Sequence, residues 1–556
     1  MVDQSKSLRD SLVKSELLTG DQVKEAIEEG RSTGETLIKS ILRKALLDEN
    51  TLIGFLEKEM DIPRVDLSSY LVDQKTIDLV PISVAKKYKI MPLFKVGDVL
   101  TVAMQDPFDV LALDEVRSRS KCDVEPMVAT SKEIEQAINQ YYGVAGSVDD
   151  LIKDIGPTSE TSAQTVTTPT EEAPIIKLVN MLILRAVSEN ASDVHIEPTG
   201  KNIRIRYRVD GIMHDVSSTP SYLLSSIVTR IKVMSKMDIA ETRLPQDGRF
   251  ELKVEGKSID VRVSTFPSIY GEAVVMRLLD KGSVLFGLKD IGFSTENLKI
   301  FEEAVQRPYG IILVTGPTGS GKTTTLYATL NHIVSPEKNI MTIEDPVEYE
   351  LAGVRQAQVN SKAGLEFATA LRSMLRQDPD VILVGEIRDP ETAKISIQSA
   401  LTGHLVFSTL HTNDAAGALT RLVDMGIEPF LTASSVAAVV AQRLVRTICP
   451  RCKVPASPPK EILDIIALNL DKKHEFYQGK GCKACHNTGY KGRSAIFEIL
   501  SITDKIRELI INKASAMEIR QAAIAAGMKT LRDDGLEKVF EGKTTIDEVL
   551  RVTQLD

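Results

Sequence analysis

Nine consecutive residues carry the spacing that holds the phosphates of a nucleotide. The segment Gly316-Pro-Thr-Gly-Ser-Gly-Lys-Thr-Thr324 fits the pattern G-x-x-x-x-G-K-[ST], and it lies between an apolar strand-like run and an apolar helical run. Backbone N–H groups of such a turn, with the positive end of the helix, converge on phosphate oxygens. We expect Lys322 to reach the β- and γ-phosphates and the Thr323 hydroxyl to hold Mg²⁺. The predicted nucleotide-binding residues are Gly316, Pro317, Thr318, Gly319, Ser320, Gly321, Lys322, Thr323 and Thr324.

Carboxylates follow two further apolar runs. The segment Asp380-Val-Ile-Leu-Val-Gly-Glu386 resembles a Walker B strand, with Gly385 where many such ATPases carry Asp, and Ile343-Glu-Asp-Pro-Val-Glu348 ends the neighbouring run with three acids. Hydrolysis needs Mg²⁺, a positioned water and a stabiliser of charge on the γ-phosphoryl group. We predict that Glu386 orients or activates the water and that Glu344 lies near the metal, and the two roles could be exchanged.

A histidine follows another short apolar run. The segment Thr402-Gly-His-Leu-Val-Phe-Ser-Thr-Leu-His-Thr-Asn413 contains His404 and His411. A lone histidine is more often structural, but His411 would lie at the carboxyl end of a sheet strand, where ligands bind in such folds. We interpret His411 as a γ-phosphate contact, a sensor rather than a base.

Four of the five cysteines form two Cys-x-x-Cys pairs, Cys449 with Cys452 and Cys482 with Cys485. The pattern predicts a tetrahedral zinc site, structural because four thiolates leave no open position. Disulfides are disfavoured in a cytoplasmic chain, and a redox role would not need two pairs. We interpret the remaining cysteine, Cys122, as a small apolar core residue.

Composition narrows the function classes. The 556 residues include 43% hydrophobic residues and no Trp, with a net charge of −9. This charge disfavours a nucleic-acid substrate, which needs a basic surface. The chain offers neither the ~20-residue apolar run of a membrane span nor the apolar core of a signal peptide. We therefore expect a cytoplasmic protein, peripheral to the inner membrane through a partner.

The pattern of apolar residues predicts five regions. Residues 1–68 form a helical repeat with Thr19 and Asp48 as N-caps, and residues 69–143 form a small α+β domain. Residues 144–172 are polar and aperiodic, which indicates a flexible linker. Residues 173–290 alternate with period two, which predicts an antiparallel sheet with turns at Asp210-Gly211 and Asp247-Gly248.

The last region, residues 291–556, alternates apolar runs with helices. This is typical of a mainly parallel α/β sheet, with strands expected at 310–315, 339–343, 381–384 and 405–408. The zinc insert covers about residues 446–492, and helices follow it. The predicted fold class is an α/β P-loop (RecA-like) ATPase domain, preceded by a small α+β sheet domain (PAS-like) and by the N-terminal helical-repeat and α+β domains on a flexible linker.

These segments together resemble one family, the hexameric secretion ATPases of type II secretion and type IV pilus systems. The resemblance covers nearly the whole chain. It rests on the segments above and on three more, which are Ala191-Ser-Asp-Val-His-Ile-Glu-Pro198, Leu244-Pro-Gln-Asp-Gly-Arg249 and Asp260-Val-Arg-Val-Ser264. The tetracysteine insert and long N-terminal region favour an assembly or export motor over a retraction motor. Length and the helical repeat favour pilus assembly over type II secretion.

The resemblance implies a homohexamer with ATP, Mg²⁺ and structural Zn²⁺ as cofactors. Each ATP would lie between the C-terminal domain and the preceding smaller domain. Arg249 and Arg262 match arginines that reach the phosphates in the family, and Arg277 is a third candidate. Closure of the two domains would turn a platform protein in the inner membrane. The alternatives are a type II secretion ATPase that drives pseudopilus assembly, a nucleotide-dependent scaffold and a nucleic-acid translocase.

N-terminal repeats of this family often bind cyclic di-GMP through an Arg-Leu-Gly near the start of each unit. The corresponding positions here read Ser7-Leu-Arg9 and Thr36-Leu-Ile38. Both lose a guanidinium and a glycine that permits close approach of a ligand. We therefore predict weak or absent binding of cyclic di-GMP. A docking domain for a partner, such as an inner-membrane-associated assembly protein, fits better.

Overall fold

A computed structural model of the protein describes residues 2–142, 169–280, 286–459 and 475–553. The chain divides into two units, Met1–Ser283 and Val284–Asp556. Most of the predicted linker, residues 144–172, lies outside the described residues. Its last four residues are placed at the start of a helix, Pro169–Ser188, which therefore begins before the predicted boundary. Among the described residues, no helix combines the length and apolar character that crossing a bilayer requires.

The N-terminal region forms the expected helical repeat. Its helices are Val2–Lys14, Gly20–Thr33, Leu37–Arg43 and Glu49–Glu59. Both predicted N-caps are confirmed. The Thr19 side chain accepts from the backbone N–H of Gln22 in a capping box, and the Asp48 side chain accepts from that of Thr51. These caps satisfy N–H groups that the first turn of a helix leaves without a partner.

The second region mixes strands and helices, as predicted, and contains a three-stranded sheet. The strands of this region are β1 (Tyr70–Leu71), β2 (Ile90–Val96), β3 (Val99–Met104) and β4 (Asp123–Val128), of which the last three form the sheet. The helices of the region are Gln74–Ile77, Ile82–Tyr88, Val110–Ser120 and Ser131–Tyr142. The sheet order is β2-β3-β4, with β2 antiparallel and β4 parallel to β3. The two-residue strand β1 joins the next sheet instead, because it pairs with a strand that ends at Val254.

The third region is the expected antiparallel sheet. Its strands are β5 (Ala191–Pro198), β6 (Asn202–Val209), β7 (Ile212–Pro220), β8 (Gln246–Val254), β9 (Lys257–Ser268) and β10 (Gly271–Asp280). With β1 they form the order β1-β8-β9-β10-β5-β6-β7. The helices Pro169–Ser188 and Leu224–Met234 supply the apolar residues that pack with one face of this sheet.

One of the two predicted turns in this sheet is wrong. Asp210-Gly211 forms the turn between β6 and β7, with both residues at positive φ. Asp247 and Gly248 instead lie inside β8. The glycine is needed there because a Cβ at Gly248 would meet the carbonyl oxygen of Ser235 at 2.5 Å. A glycine can mark a close backbone approach as well as a turn, and the sequence does not distinguish the two.

The second unit contains a seven-stranded sheet whose central strands are parallel. Its strands are β11 (Gly310–Thr315), β12 (Ile340–Glu344), β13 (Val354–Gln358), β14 (Val381–Val384), β15 (Leu405–Leu410), β16 (Val436–Ile448) and β19 (Tyr490–Ser501). Their order is β13-β12-β14-β15-β11-β16-β19, and β19 alone of these runs antiparallel to its neighbour. Every residue of β11, β14 and β15 is buried, as expected for strands covered on both faces.

Helices cover both faces of this sheet, and a small ribbon follows β16. The helices are Thr295–Val305, Lys322–Ile333, Phe367–Met374, Pro390–Leu401, Ala415–Asp424, Pro429–Ser435, Asp504–Ile511, Ala516–Ala525, Leu531–Phe540 and Ile546–Val552. The ribbon pairs β17 (Lys453–Ala456) with β18 (Phe476–Gly479). The four strands predicted from apolar runs are thus present, with ends shifted by at most two residues.

A buried carboxylate ties the C-terminal helices to the sheet. Asp534 is 0% exposed and accepts hydrogen bonds from Asn297 Nδ2 at 3.0 Å, the Phe497 backbone N–H at 3.0 Å and Lys538 Nζ at 2.7 Å. Burial is the largest influence on its pKa and raises it, while the Lys538 ammonium opposes that effect. One side chain thereby joins two helices and β19.

Replacing Asp534 by alanine should lower the free energy of unfolding by about 3–5 kcal/mol, because Lys538 would be left as a buried charge without its carboxylate. Urea denaturation followed by circular dichroism measures the change. The control is Asp504→Ala, which removes a carboxylate that is 98% exposed and should cost less than about 1 kcal/mol. Equal losses in the two variants would contradict the role given to Asp534.

Candidate nucleotide and metal sites

The phosphate loop leaves the end of β11 and lies directly against β16. At Gly316, where φ is +150°, a Cβ would meet the carbonyl oxygen of Gln442 at 2.5 Å. At Gly321, where φ is +89°, a Cβ would meet Gln442 Nε2 at 2.8 Å. The Gln442 side chain is 1% exposed and accepts from the Thr325 hydroxyl at 2.8 Å. Only glycine fits these two positions, so the loop is held in one shape by the neighbouring strand.

The polar groups of the loop suit an anion. The Ser320 hydroxyl is buried and has no hydrogen-bond partner within the described residues. Lys322 Nζ donates to the carbonyl oxygens of Gly316 at 2.7 Å and Pro317 at 3.1 Å. Burial lowers the pKa of Lys322 most strongly, the Glu386 carboxylate opposes that effect, and Arg443 adds to it. A phosphate would supply the missing acceptor for Ser320 and a further negative charge beside the partly buried ammonium of Lys322.

Glu386 and His411 come together at the ends of two adjacent strands. Because β14 and β15 pair in parallel, the residues that follow them meet at one edge of the sheet. Glu386 Oε2 lies 3.3 Å from His411 Nε2, and Glu386 Oε1 pairs with the Arg388 guanidinium. Arg388 also lies 3.8 Å from Asp345. Its pKa is raised, first by the hydrogen bond to Glu386. The Glu386 side chain is 14% exposed, so a carboxylate flanked by two basic groups faces the edge where the phosphate loop ends.

Sequence reasoning missed Arg388. The residue lies in the segment Gly385-Glu-Ile-Arg-Asp389, two positions after the acid, and this spacing alone did not indicate which side chain it would contact. In the structure, Arg388 and His411 contact the same carboxylate, that of Glu386.

Glu344 has a different environment from Glu386. It is 3% exposed, and its carboxylate accepts from the Tyr327 hydroxyl, from Thr342 Oγ1 at 2.6 Å and from Gln356 Nε2 at 3.3 Å. Burial, followed by the contact with Glu344, raises the pKa of Tyr327, so this hydroxyl remains a donor. The two acids that the sequence treated as interchangeable therefore differ: protein donors hold Glu344, whereas basic groups flank Glu386.

The structure explains the glycine of the Walker B-like strand. A Cβ at Gly385 would lie 3.3 Å from both Glu344 Cα and the Ile343 carbonyl oxygen, and 3.5 Å from the Phe367 ring. The Gly385 N–H donates to that same carbonyl at 2.8 Å. A larger residue would crowd the backbone of β12, which would have to shift to admit an aspartate.

The four paired cysteines converge in the second unit. All four Sγ atoms lie within 4.8 Å of one another, with Cys449–Cys482 at 3.9 Å, Cys452–Cys485 at 3.8 Å and Cys482–Cys485 at 3.7 Å. Sulfur ligands at about 2.3 Å from a tetrahedral zinc ion lie about 3.8 Å apart. The thiols thus fit the group that the sequence predicts.

The three predicted arginines form one row in the first unit. Arg249 on β8, Arg262 on β9 and Arg277 on β10 are cross-strand neighbours. Asp260 lies 3.6 Å from Arg249 and 3.7 Å from Arg262, and Arg277 Nε donates to Asp193 at 3.0 Å. Both acids are 5% exposed, whereas Arg249 is 66% and Arg277 56% exposed. The sequence did not single out these two acids.

Comparison with known proteins places the chain among secretion ATPases. A family model described as Type II/IV secretion system protein matches residues 168–551, and one described as MshEN domain matches residues 60–148. The chain is 44% identical over 560 residues to the Type IV pilus assembly ATPase PilB of Myxococcus xanthus, which covers 99% of each chain. It is 47% identical over 451 residues to the Type II secretion system protein E of Aeromonas hydrophila, covering 80% of this chain and 90% of that protein.

A solved structure shares the fold. The Yersinia pseudotuberculosis ATPase DotB aligns with a TM-score of 0.53 at 21% identity, across 72% of this chain and 97% of that chain. At this identity the likeness concerns the fold alone.

Introducing the carboxylate that related strands carry should harm this protein. Gly385→Asp must push against the β12 backbone, and such overpacking costs about 1–3 kcal/mol, which corresponds to a fall in melting temperature of roughly 2–10 °C. Gly385→Ala should show a smaller fall. Calorimetry measures both, and Gly54→Asp is the control because a Cβ at Gly54 has no atom within 4 Å. A Gly385→Asp variant as stable as the unaltered protein would refute the packing argument.

Proposed function

Because this chain belongs to the family of type II/IV secretion system proteins and is an ATPase, we propose that it hydrolyses Mg-ATP to drive the assembly of a type IV pilus. The observation that carries the proposal is the edge at which Lys322, Glu386 and His411 follow three adjacent strands. The relative named as a pilus assembly ATPase matches over the whole chain, and this supports pilin polymerisation as the task. The second candidate is the type II secretion ATPase that drives pseudopilus assembly and export.

Each group at this edge receives a role in the reaction. Lys322 and the backbone N–H groups of the loop bind the phosphates, and Thr323, exposed at the start of its helix, holds Mg²⁺. Glu386 orients the attacking water, since it is a partly exposed carboxylate beside two basic groups. His411 contacts the γ-phosphate as a sensor. When bound, Mg²⁺ neutralises the charge that develops between the β- and γ-phosphates.

Glu344 is proposed on the metal side of the site. Its hydrogen bonds from Tyr327, Thr342 and Gln356 fix the orientation of the carboxylate. A fixed, buried negative charge attracts a divalent cation, but it is poorly placed to exchange protons with a mobile water. This difference supports assigning the orientation of the attacking water to Glu386.

We propose that six chains form a ring in which the arginine row completes each nucleotide site. Guanidinium groups neutralise charge on the transferring phosphoryl group, and a mobile domain can bring them to it. The row supports this role, because Arg249 and Arg277 are exposed and Arg262 between them is partly exposed. The partner that would be turned is a platform protein of the inner membrane, which places the ring at the cytoplasmic face of that membrane.

The N-terminal region is proposed to dock an inner-membrane-associated assembly protein, and cyclic di-GMP binding is predicted to be weak or absent. At the second repeat, the Thr36 hydroxyl donates to Asp106, and Lys39 Nζ pairs with Asp109 at 2.6 Å. Carboxylates therefore already occupy the first turn of the helix Leu37–Arg43. A phosphodiester would have to compete with them for the Thr36 hydroxyl and the Lys39 ammonium. The family model described as MshEN domain matches residues 60–148, next to this repeat. Direct titration of the protein with cyclic di-GMP decides whether the N-terminal region binds this ligand.

The remaining candidates receive less support. A scaffold that binds ATP without hydrolysing it would not need Glu386 between His411 and Arg388. A nucleic-acid translocase is disfavoured by the net charge of −9. DNA-stimulated turnover that is sensitive to salt would favour the translocase instead.

Glu386→Gln should lower the ATP turnover number about 100-fold or more, while nucleotide affinity changes little, because the amide cannot accept a proton but preserves the shape. A phosphate-release assay and titration with a fluorescent nucleotide measure the two quantities. Glu541→Gln, at an exposed glutamate paired with Lys543, is the matched control and should hydrolyse normally. Normal turnover in Glu386→Gln would show that another group orients the water.

The same Glu386→Gln allele decides between the two biological tasks. Expressed in place of the unaltered chain, it should abolish surface pili and leave type II export intact. Normal piliation with lost export would favour the second candidate.

The purified protein should contain about one zinc ion per chain, measured by atomic emission. Cys449→Ser with Cys482→Ser should abolish zinc binding and expose residues 446–459 and 475–492 to proteolysis. Cys122→Ala, which removes the cysteine outside the cluster, should keep the metal. A metal-free protein that resists proteolysis as well as the unaltered one would contradict a structural zinc site.

A further inference from the structure

Hydrogen bonds anchor the loop that carries His411 on the C-terminal side of the histidine. The Thr412 N–H donates to the Thr315 hydroxyl at 2.9 Å, and the two threonine hydroxyls lie 2.6 Å apart. The Ala415 N–H donates to the buried carboxylate of Glu498 at 2.9 Å. These bonds fix the loop to β11 and β19. Between them lies Asn413, whose contacts lead to a different element.

Arg443 lies between Asn413 and Gly316, the first residue of the phosphate loop. Its Nη2 donates to the backbone oxygen of Asn413 at 3.0 Å and to Asn413 Oδ1 at 3.1 Å. Its Nη1 donates to the Gln442 carbonyl at 3.1 Å and lies 3.2 Å from the place that a Cβ on Gly316 would occupy. The guanidinium thus hydrogen-bonds Asn413 on one side and, held by the Gln442 carbonyl, packs beside Gly316 on the other.

The charge of Arg443 serves no carboxylate directly, because its three acceptors are neutral oxygens. Burial lowers its pKa, while Glu498 and Asp414 act in the opposite direction. The planar guanidinium donates to backbone and amide oxygens in fixed directions, and a lysine ammonium cannot reproduce this set of hydrogen bonds.

We propose that Arg443 is a positioning residue that locks the loop 411–413 to the phosphate loop, so that His411 and the phosphate cradle keep a fixed separation. The inference rests on the γ-phosphate contact proposed for His411. Loss of the bridge lets the loop shift between its remaining anchors at Thr412 and Ala415, while Gln442 continues to support the phosphate loop. The chemical step then slows, while binding of the nucleotide is preserved.

Arg443→Gln and Arg443→Lys in the full-length protein test the bridge. Both variants should lower the turnover number about 10- to 100-fold, the effect of misplacing a group by about 1 Å. Nucleotide affinity should stay within about threefold. Arg507→Gln is the control, since that arginine lies in an exposed ion pair with Asp504. Full recovery with lysine would show that charge alone matters and would overturn the bridge.

A second readout does not depend on catalysis. Hydrogen exchange of the 411–415 amides, followed by mass spectrometry, should accelerate in Arg443→Gln and stay unchanged in Arg507→Gln. Arg443→Gln combined with Asn413→Ala should lower turnover no further than Arg443→Gln alone, since both remove one contact.

The outcomes separate the two proposals. An unaltered protein that fails to hydrolyse ATP refutes the proposed function, whereas unchanged exchange in Arg443→Gln refutes the bridge whatever the activity. A parallel loss of affinity and turnover would make Arg443 a nucleotide ligand and would also overturn the positioning role.

Discussion

The contact between the phosphate loop and β16 constrains the rest of the second unit. Gln442 fills the space under the loop so closely that Gly316 and Gly321 have no room for a Cβ. A loop whose backbone is this crowded keeps one conformation before any ligand arrives. Its N–H groups then need no reorganisation when a phosphate binds, which is the condition under which fixed dipoles act most strongly. Packing against β16, in addition to the glycine pattern, therefore fixes the loop in one conformation before a phosphate binds.

The order of the sheet determines which groups can cooperate with that loop. Strands β14, β15 and β11 are adjacent and parallel, so Glu386, His411 and the phosphate loop follow their ends at one edge. The β12 strand lies beyond β14, and its last residue, Glu344, is drawn into hydrogen bonds with Tyr327 and Thr342. Position along the sheet therefore gives two glutamates in similar sequence contexts different surroundings, one flanked by basic groups and one enclosed by donors.

Much of this arrangement could be predicted from the sequence, because apolar runs and local motifs are read over a few residues. The strands around the phosphate loop and the caps Thr19 and Asp48 belong to this class, as does the placement of Glu386 and His411 after the ends of strands. Features that depend on contacts between distant residues could not be predicted. Gly248 marks a close approach to Ser235 rather than a turn, Gly385 is required by the β12 backbone, and the two-residue strand β1 gains its partner only in the folded chain.

The arginine row shows how a fold can keep cations close together yet exposed. Like charges on directly opposed residues of neighbouring strands repel, so Arg249, Arg262 and Arg277 would destabilise their sheet if uncompensated. Asp260 and Asp193 lie in the same sheet and remain almost fully buried, where water screens them least. Asp260 lies 3.6 Å from Arg249 and 3.7 Å from Arg262, and Asp193 accepts a hydrogen bond from Arg277, while Arg249 and Arg277 stay exposed. The row can therefore be ordered before it meets an anion, and an approaching phosphate encounters several fixed positive charges at once. Arginines that are already ordered can bind a phosphate as soon as the domain brings them to it, without first rearranging their side chains.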